Sequence, residues 1–501
     1  MTEAEKMLIL NNLAYSRTFK TTNYEEKKKI LNKSLNQTID SFDKPDVLSD
    51  SQWKKVQNTI KNDDAFKDVK LKSIDYKKDK QVNILFSDNS ANKNKALVVF
   101  KGTDTKEWHD NGQGGQWDTT DTPQQKEAKK FVEKKCSKDK YDEVVISGHS
   151  KGGNKAQYVA ITNDYSKVNI TKAYSFDGQG MNYPFMKKYK KQIDQNADKL
   201  YLYADSNDYV HALFNQIPTK HVYYTKSDAT IASLLNSLDF KKIMNAHSPS
   251  TMLDFSGDSV KMKTTDDVKE DKLCKIINGL TDYLSMNLSN KDYNYFIHLI
   301  MHIFDKDEGC DYFKNHKKPK NFEKNIVACI YNYCTDVLKL DAKDTTIMVA
   351  ILSAAFLYDN NFKTLDFTDI ALNEIISKVS AESLTDYKVR DFSDTMLNSF
   401  LKLVKQSQDD EPIYEFWNWD VWPQVKDYFV GYSLEDANNS YKKYYSHMID
   451  MEDMTEKQAK DIFKKVRQKD TEFSKEINNK IDELNKCISD IQDNLIAKIK
   501  L

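Results

Sequence analysis

Arginine is nearly missing from this 501-residue chain: it stands only at Arg17, Arg390 and Arg467, so the positive charge is almost all lysine. Planar guanidinium forks are the usual bidentate readers of phosphate and guanine. Without them, and with no basic stripe, nucleic acid is not an expected partner. Long apolar runs are also lacking. The longest, Ile347 to Tyr358, is about a dozen residues, where a bilayer-spanning helix needs about 20. Six cysteines (Cys136, Cys274, Cys310, Cys329, Cys334, Cys487) are spread thinly with no C-x-x-C pair. A disulfide framework or a zinc knuckle is therefore not expected, and a reducing origin or structural thiols is the simple reading. The N-terminus, M-T-E-A-E-K-M-L-I-L-N-N, has neither a basic n-region nor a small-residue cleavage site, so an ordinary secretory signal is not expected.

What is present points to folded domains. The 28 Tyr and 24 Phe can build sizeable cores although 30% of residues are charged, and the length suggests two to four domains. The net charge of −1 hides an asymmetry. Residues 1–250 hold 41 Lys+Arg against 32 Asp+Glu, and residues 251–501 hold 34 against 44. A mildly basic half joined to an acidic half suggests domains with different partners.

Three textures follow one another. The first 75 residues read as short helices: Glu3–Tyr15, more weakly Tyr24–Ile39, and another after Ser49. Short β-rich runs then appear at Val82–Phe86, Ala96–Phe100, Val144–Ser147, Ala173–Phe176, Leu200–Tyr203 and Val222–Thr225, with helical stretches at Pro123–Lys135 and Lys151–Asn163. Strands alternating with helices predict an α/β fold with a mainly parallel sheet. After about residue 255 the pattern is helical: 266–286, 291–305, 321–339, 344–358, 366–378, 383–406 and 412–430. Beyond Thr455 a seam from Ile462 to Ile499 predicts one long amphipathic helix. The expected organisation is an α/β domain over 1–255, an all-α domain over 256–432 and a helical hairpin over 433–501.

The chemistry is concentrated in Glu143-V-V-I-S-G-H-S-K-G-G-N-K-A156. A strand runs through Gly148-His-Ser-Lys-Gly152 into a helix, which is the G-x-S-x-G nucleophile elbow in its strand–turn–helix context. Side chains two positions either side of the serine would collide with the neighbouring strand and helix. With only 13 Gly in the chain, two at these offsets single out Ser150 as nucleophile. The bland alternative is a glycine-bearing turn with an incidental serine.

A serine nucleophile needs a base and an orienting acid, in the order Ser, Asp or Glu, His. Before the helical region the histidines after Ser150 are His211, His221 and His247. His247, in a polar loop past the last strand, is the expected base. Acids at strand ends are Asp177, Asp205 and Asp208; Asp208 is favoured and Asp205 remains its rival. The strand exit F-K-G-T-D offers Thr103 as an oxyanion donor beside the Lys151 amide. No metal or organic cofactor is required by such a site. The Gly-rich Asn111-G-Q-G-G-Q-W117 reads either as a substrate loop or lid, or as an exposed linker.

F-K-G-T-D, Trp108, a Gln/Ala helix, G-H-S-K-G-G-N, S-F-D-G-Q-G and N-D-Y-V together resemble bacterial α/β-hydrolases related to the class 3 lipases, over roughly residues 1–255. Lys101 stands where that family commonly has Arg, and Lys151 where its lipases more often have Leu. The resemblance implies Thr103, Ser150 and Asp208 as functional positions and hydrolysis of carboxylic esters, often acyl chains of lipids, including phospholipase A chemistry.

In the helical half, His298 and His302 are four apart, but Leu299 stands where H-E-x-x-H needs Glu, so a zinc protease is not expected. Trp417, Trp419 and Trp422 read as packing, with a membrane-interface or partner surface as the sharper alternative. Residues 433–501 resemble the helical hairpins of small type VII-secreted proteins and of the targeting domains of their toxins. That resemblance implies a secreted lipase toxin of reversed domain order, small helical partners on the hairpin and an immunity protein at the active site. The alternatives are a cytoplasmic hydrolase regulated by its helices, and an inactive hydrolase scaffold working as an interaction protein.

Overall fold

The structure, a computed structural model, describes residues 1–76, 81–90, 93–103, 108–228, 246–304, 311–320, 322–341 and six scattered positions up to 379. Seven strands form one sheet in chain order: β1 (Val69–Tyr76), β2 (Val82–Asp88), β3 (Lys95–Phe100), β4 (Glu143–His149), β5 (Ile170–Phe176), β6 (Leu200–Asp205) and β7 (Val222–Thr225). The first two pairings are antiparallel and the four from β3 to β7 are parallel. The six expected strands are all present. Phe100 pairs with Gly148, and His149 with Phe176, so β3, β4 and β5 end at one level. The loops carrying Thr103, Ser150 and Asp177 therefore leave from the same carboxyl edge, where ligands of open α/β sheets bind.

Both faces of the sheet are covered, which is why its strands read as unbroken apolar runs. Leu97, Val99 and Val145 point into one core with the N-terminal helices α1 (Glu3–Leu13), α2 (Tyr24–Ile30), α3 (Leu35–Thr38) and α4 (Asp50–Asn62). Ala96, Val98, Phe100, Val144 and Ile146 point into the other, with helices running over Pro123–Lys135 and Lys151–Thr162.

Helix α1 starts at a capping box between Thr2 and Glu5 and is buried almost all round. Its polar side chains are consequently paired with the sheet. Lys6 meets Asp88 at 2.5 Å, and Glu3 meets Lys95 at 2.8 Å and Lys172 at 3.2 Å. Asn11 donates to the Ser147 hydroxyl, and Asn12 to the Pro249 carbonyl.

Two expectations change. The first 75 residues are not all helical, because Val69–Tyr76 is β1, with the alternating burial of a strand wetted on one side. A register shift between Leu71 and Ser73 breaks that alternation and hides it in the sequence. The stretch 24–39 splits around Asn32, whose φ of 63° ends helical geometry. Met1–Asn278 and Ile300–Asn315 form one compact unit. Val260 is buried in the α1 core, and Lys55 donates to the carbonyls of Phe255 and Gly257.

Farther along, helices run over Lys272–Asn287, Asn290–Phe304, Asp311–Asn315 and Phe322–Asn332, with a π turn over Tyr333–Val337. A second unit comprises Gly279–Leu299 and the described residues from His316 onward. Only five positions of the expected 344–358 helix are described, and the expected helices over 366–378, 383–406 and 412–430 and the hairpin over 433–501 lie outside the described residues, as do Trp417, Trp419 and Trp422. No described helix is long and apolar enough to cross a membrane.

Removing Lys6 isolates a buried carboxylate. Lys6→Met is expected to cost on the order of 3 kcal/mol in urea denaturation. Burial pushes the Asp88 and Glu3 carboxyls up, but their lysine partners outweigh it and hold both below the ordinary range. A depressed carboxyl stabilises fully above its unfolded pKa, near 4, and the contribution is lost as pH falls through the folded value. The urea midpoint of the natural chain should therefore fall more steeply below pH 4 than that of Lys6→Met.

Candidate active site

Strand β4 ends at His149, and helix α7 (Lys151–Thr162) begins one residue later. Ser150 fills the gap at φ 58° and ψ −125°, a conformation few non-glycine residues adopt. Its amide donates to the Phe176 carbonyl at 2.9 Å. A Cβ on Gly148 would lie 2.0 Å from Gly152, and a Cβ on Gly152 would lie 2.0 Å from the Phe100 carbonyl oxygen. Both glycines are required because α7 is driven hard against β3 and β4. Ser150 caps α7 without a side-chain hydrogen bond. First-turn amides have no partner inside a helix, so that end can hold negative charge.

Ser150 opens into a cavity of about 450 Å³ that Thr103, His149 and His247 also line. Its lining also includes the apolar side chains of Val47, Leu48, Trp108, Val210 and Leu213.

His247 Nδ1 lies 2.5 Å from Asp208 Oδ2. The other Asp208 oxygen accepts the His211 amide at 2.6 Å, which fixes the carboxylate. Asp208 is 2% exposed, and the Nε2 of His247 is buried with no hydrogen-bond partner. The loop holding His247 is tied down from α1 through Asn12 and the Pro249 carbonyl. The other histidines and the rival acid lie elsewhere. His211 has its Nε2 3.9 Å from Glu270, and the His221 ring stacks on Tyr201 at 4.2 Å. Asp205 accepts the Asn207 amide, and burial raises its carboxyl to about 6.

The Gly-rich stretch read as a loop, lid or linker is helical: α5 (Trp108–Gly115). The exposed-linker reading is overturned, since Asp110, Asn111, Gly112, Gly114 and Gly115 are buried there. Two consecutive residues of α5 grip the two expected oxyanion positions. The Asp110 carboxylate meets Lys151 Nζ at 2.8 Å, with the lysine side chain fully buried. Asn111 donates to the Thr103 hydroxyl at 2.9 Å. Asp110 also accepts the Thr122 hydroxyl and the Gln124 amide at the start of the helix Pro123–Lys135. Lysine at position 151 is thus the cation that anchors α5.

Sequence reasoning gave Tyr15 and the His149 ring no role, and weighed Asp177 only as a candidate acid. Tyr15, just past α1, shares a hydrogen bond of 2.7 Å with His149 Nδ1, and Lys101 Nζ sits 4.9 Å above the Tyr15 ring. Asp177 is fully buried with φ 46°, accepts the Asp205 amide at 2.7 Å, and comes within 3.9 Å of His149 Nε2. Burial, then the charges of Asp208 and Asp205, push the Asp177 carboxyl well above the usual carboxylate range. Burial, then His247, push His149 well below the usual imidazole value. His149 is inside the elbow motif, but nothing in the motif assigns a role to its ring.

Lys151→Leu, which installs the residue common in the resembling lipases, strands the Asp110 carboxylate. It is expected to lose on the order of 3 kcal/mol in urea denaturation. Adding Asp110→Asn to the same chain should recover part of that loss.

No curated protein and no solved structure was found to match the chain. Residues 60–248 match the family model described as Mbeg1-like.

Proposed function

We propose that the chain is a serine hydrolase of carboxylic esters, with acyl esters of lipids as its substrate class. One observation carries the reading: a serine in strained backbone geometry at the carboxyl edge of the sheet shares a cavity with a histidine whose far nitrogen is bound by a buried aspartate. Ser150 Oγ attacks the ester carbonyl as His247 Nε2 takes its proton. Asp208 fixes the tautomer and favours the imidazolium. The tetrahedral oxyanion is held by the Lys151 amide and by Thr103, each such donor being worth about 10²–10³ in turnover. On collapse, His247 returns the proton to the leaving alcohol. Water then attacks the acyl-enzyme by the same route and frees the carboxylic acid and Ser150. The apolar residues of the lining suit an acyl chain, and Trp108 among them is the first residue of α5.

The secreted-toxin proposal, with small helical partners and an immunity protein, rests on the helical texture of 433–501. It is tested by whether deleting that segment abolishes a complex with co-expressed small helical proteins.

Purified chain is expected to hydrolyse short-chain acyl esters and to be labelled at Ser150 by a fluorophosphonate probe. Ser150→Ala should abolish both, and Asp208→Asn should slow turnover by roughly 10⁴. Equal activity from the natural chain and Ser150→Ala removes the assignment. A folded chain that neither reacts nor labels supports an inactive scaffold instead.

A further inference from the structure

Beside the Asp208–His247 pair lie three buried polar atoms that no hydrogen bond satisfies: His149 Nε2, Asp177 Oδ2 and His247 Nε2. One ring nitrogen of each histidine and a carboxylate oxygen of Asp177 lie within 4.8 Å of one another, and His149 Nε2 is 3.9 Å from Asp177 Oδ2. Their residues are 2%, 0% and 7% exposed. Buried polar atoms are normally partnered, so three orphans facing one another require an explanation.

The remaining atoms of these side chains are committed elsewhere. His149 Nδ1 is hydrogen-bonded to the Tyr15 hydroxyl at 2.7 Å, and His247 Nδ1 to Asp208 at 2.5 Å. Asp177 Oδ1 accepts the Asp205 amide at 2.7 Å. Each imidazole is thus oriented through one ring nitrogen and presents the other. That is how metal-ligating histidines are usually held, with the outer nitrogen on a carboxylate or another polar group. Two imidazoles and one carboxylate form an N/O ligand set suited to a borderline divalent transition ion, with a fourth position left open. Both histidines line the cavity, which supplies an entry path. Ligands about 2.1 Å from a tetrahedral ion stand roughly 3.3 Å apart.

We propose that His149, Asp177 and His247 form a site for a Zn²⁺-class cation, and that the occupied site inhibits hydrolysis by engaging His247 Nε2. The binding half stands on geometry alone; the inhibition half rests on the hydrolase reading above. A bound cation would take the lone pair that removes the Ser150 proton. The site would therefore be a reversible brake rather than part of the reaction.

The test is titration of the full chain with Zn²⁺, and with Co²⁺ as spectroscopic reporter, followed by calorimetry and visible absorption. The natural chain should bind an equivalent that His149→Gln and Asp177→Asn each weaken at least about tenfold. Co²⁺ in that site should show the absorption of a four-coordinate N/O environment. Ser150→Ala removes turnover but no ligand, and should keep the equivalent. Zn²⁺ should also inhibit ester hydrolysis by the natural chain and be reversed by EDTA. Should the variants not fold, the natural chain decides: Zn²⁺ must protect His149 and His247 from diethyl pyrocarbonate, mapped by mass spectrometry. Metal binding that both ligand variants retain unchanged, or histidines that Zn²⁺ does not protect, overturns the site. Binding without inhibition keeps the site and overturns the brake. Absence of any hydrolysis speaks against the ester-hydrolase reading and leaves the binding result standing.

Discussion

The close approach of α7 to the ends of β3 and β4 is the constraint on which the site depends. The Phe100 carbonyl lies where a side chain on residue 152 would start, and Gly152 lies where one on residue 148 would start. That approach leaves no room for a relaxed connection, so Ser150 is forced to φ 58°. Such a conformation costs on the order of 1–3 kcal/mol and persists only where the surroundings over-determine it. Here they do so through two buried cores and through the amide of Ser150 itself, bonded to the Phe176 carbonyl. Packing energy spread over the sheet is thereby focused on the orientation of one hydroxyl.

Polar burial is a second organising force. Lys6, Lys151 and Asp110 are each buried and charged, and each has an assigned partner. Such pairs add little net stability compared with apolar replacements of the same shape, yet losing one partner is expensive. Their effect is to select a single arrangement: α1 seats in one register on the sheet, and α5 seats at one height beside the elbow.

How much of this was legible depended on what each feature needs. The strands from β2 to β7 stood out because a sheet covered on both faces demands continuous apolar runs. The elbow stood out because two glycines are steric necessities, and sterics leave a pattern in sequence. Asp208 was favoured but Asp205 stayed its rival, since both lie at the end of β6 and only the placement of the carboxylates tells them apart. Strand β1 was lost to a register shift at Leu71–Ser73. Helix α5 was lost because its glycines mimic a loop, although buried partners at Asp110 and Asn111 hold it helical. Nothing in the sequence joins Tyr15 to His149, since a contact between residues 134 positions apart exists only once α1 is docked.

The match to the Mbeg1-like family model begins at residue 60, yet the first 16 residues reach the heart of the candidate site. Tyr15 shares a hydrogen bond with the ring next to the nucleophile, and Asn12 tethers the loop that carries His247. The unit that builds the candidate site is thus larger than the stretch that a family comparison detects. An excised fragment bounded by residues 60 and 248 would keep the nucleophile, the acid and the imidazole, but would discard the scaffolding that aims two of the rings and uncover one whole face of the sheet.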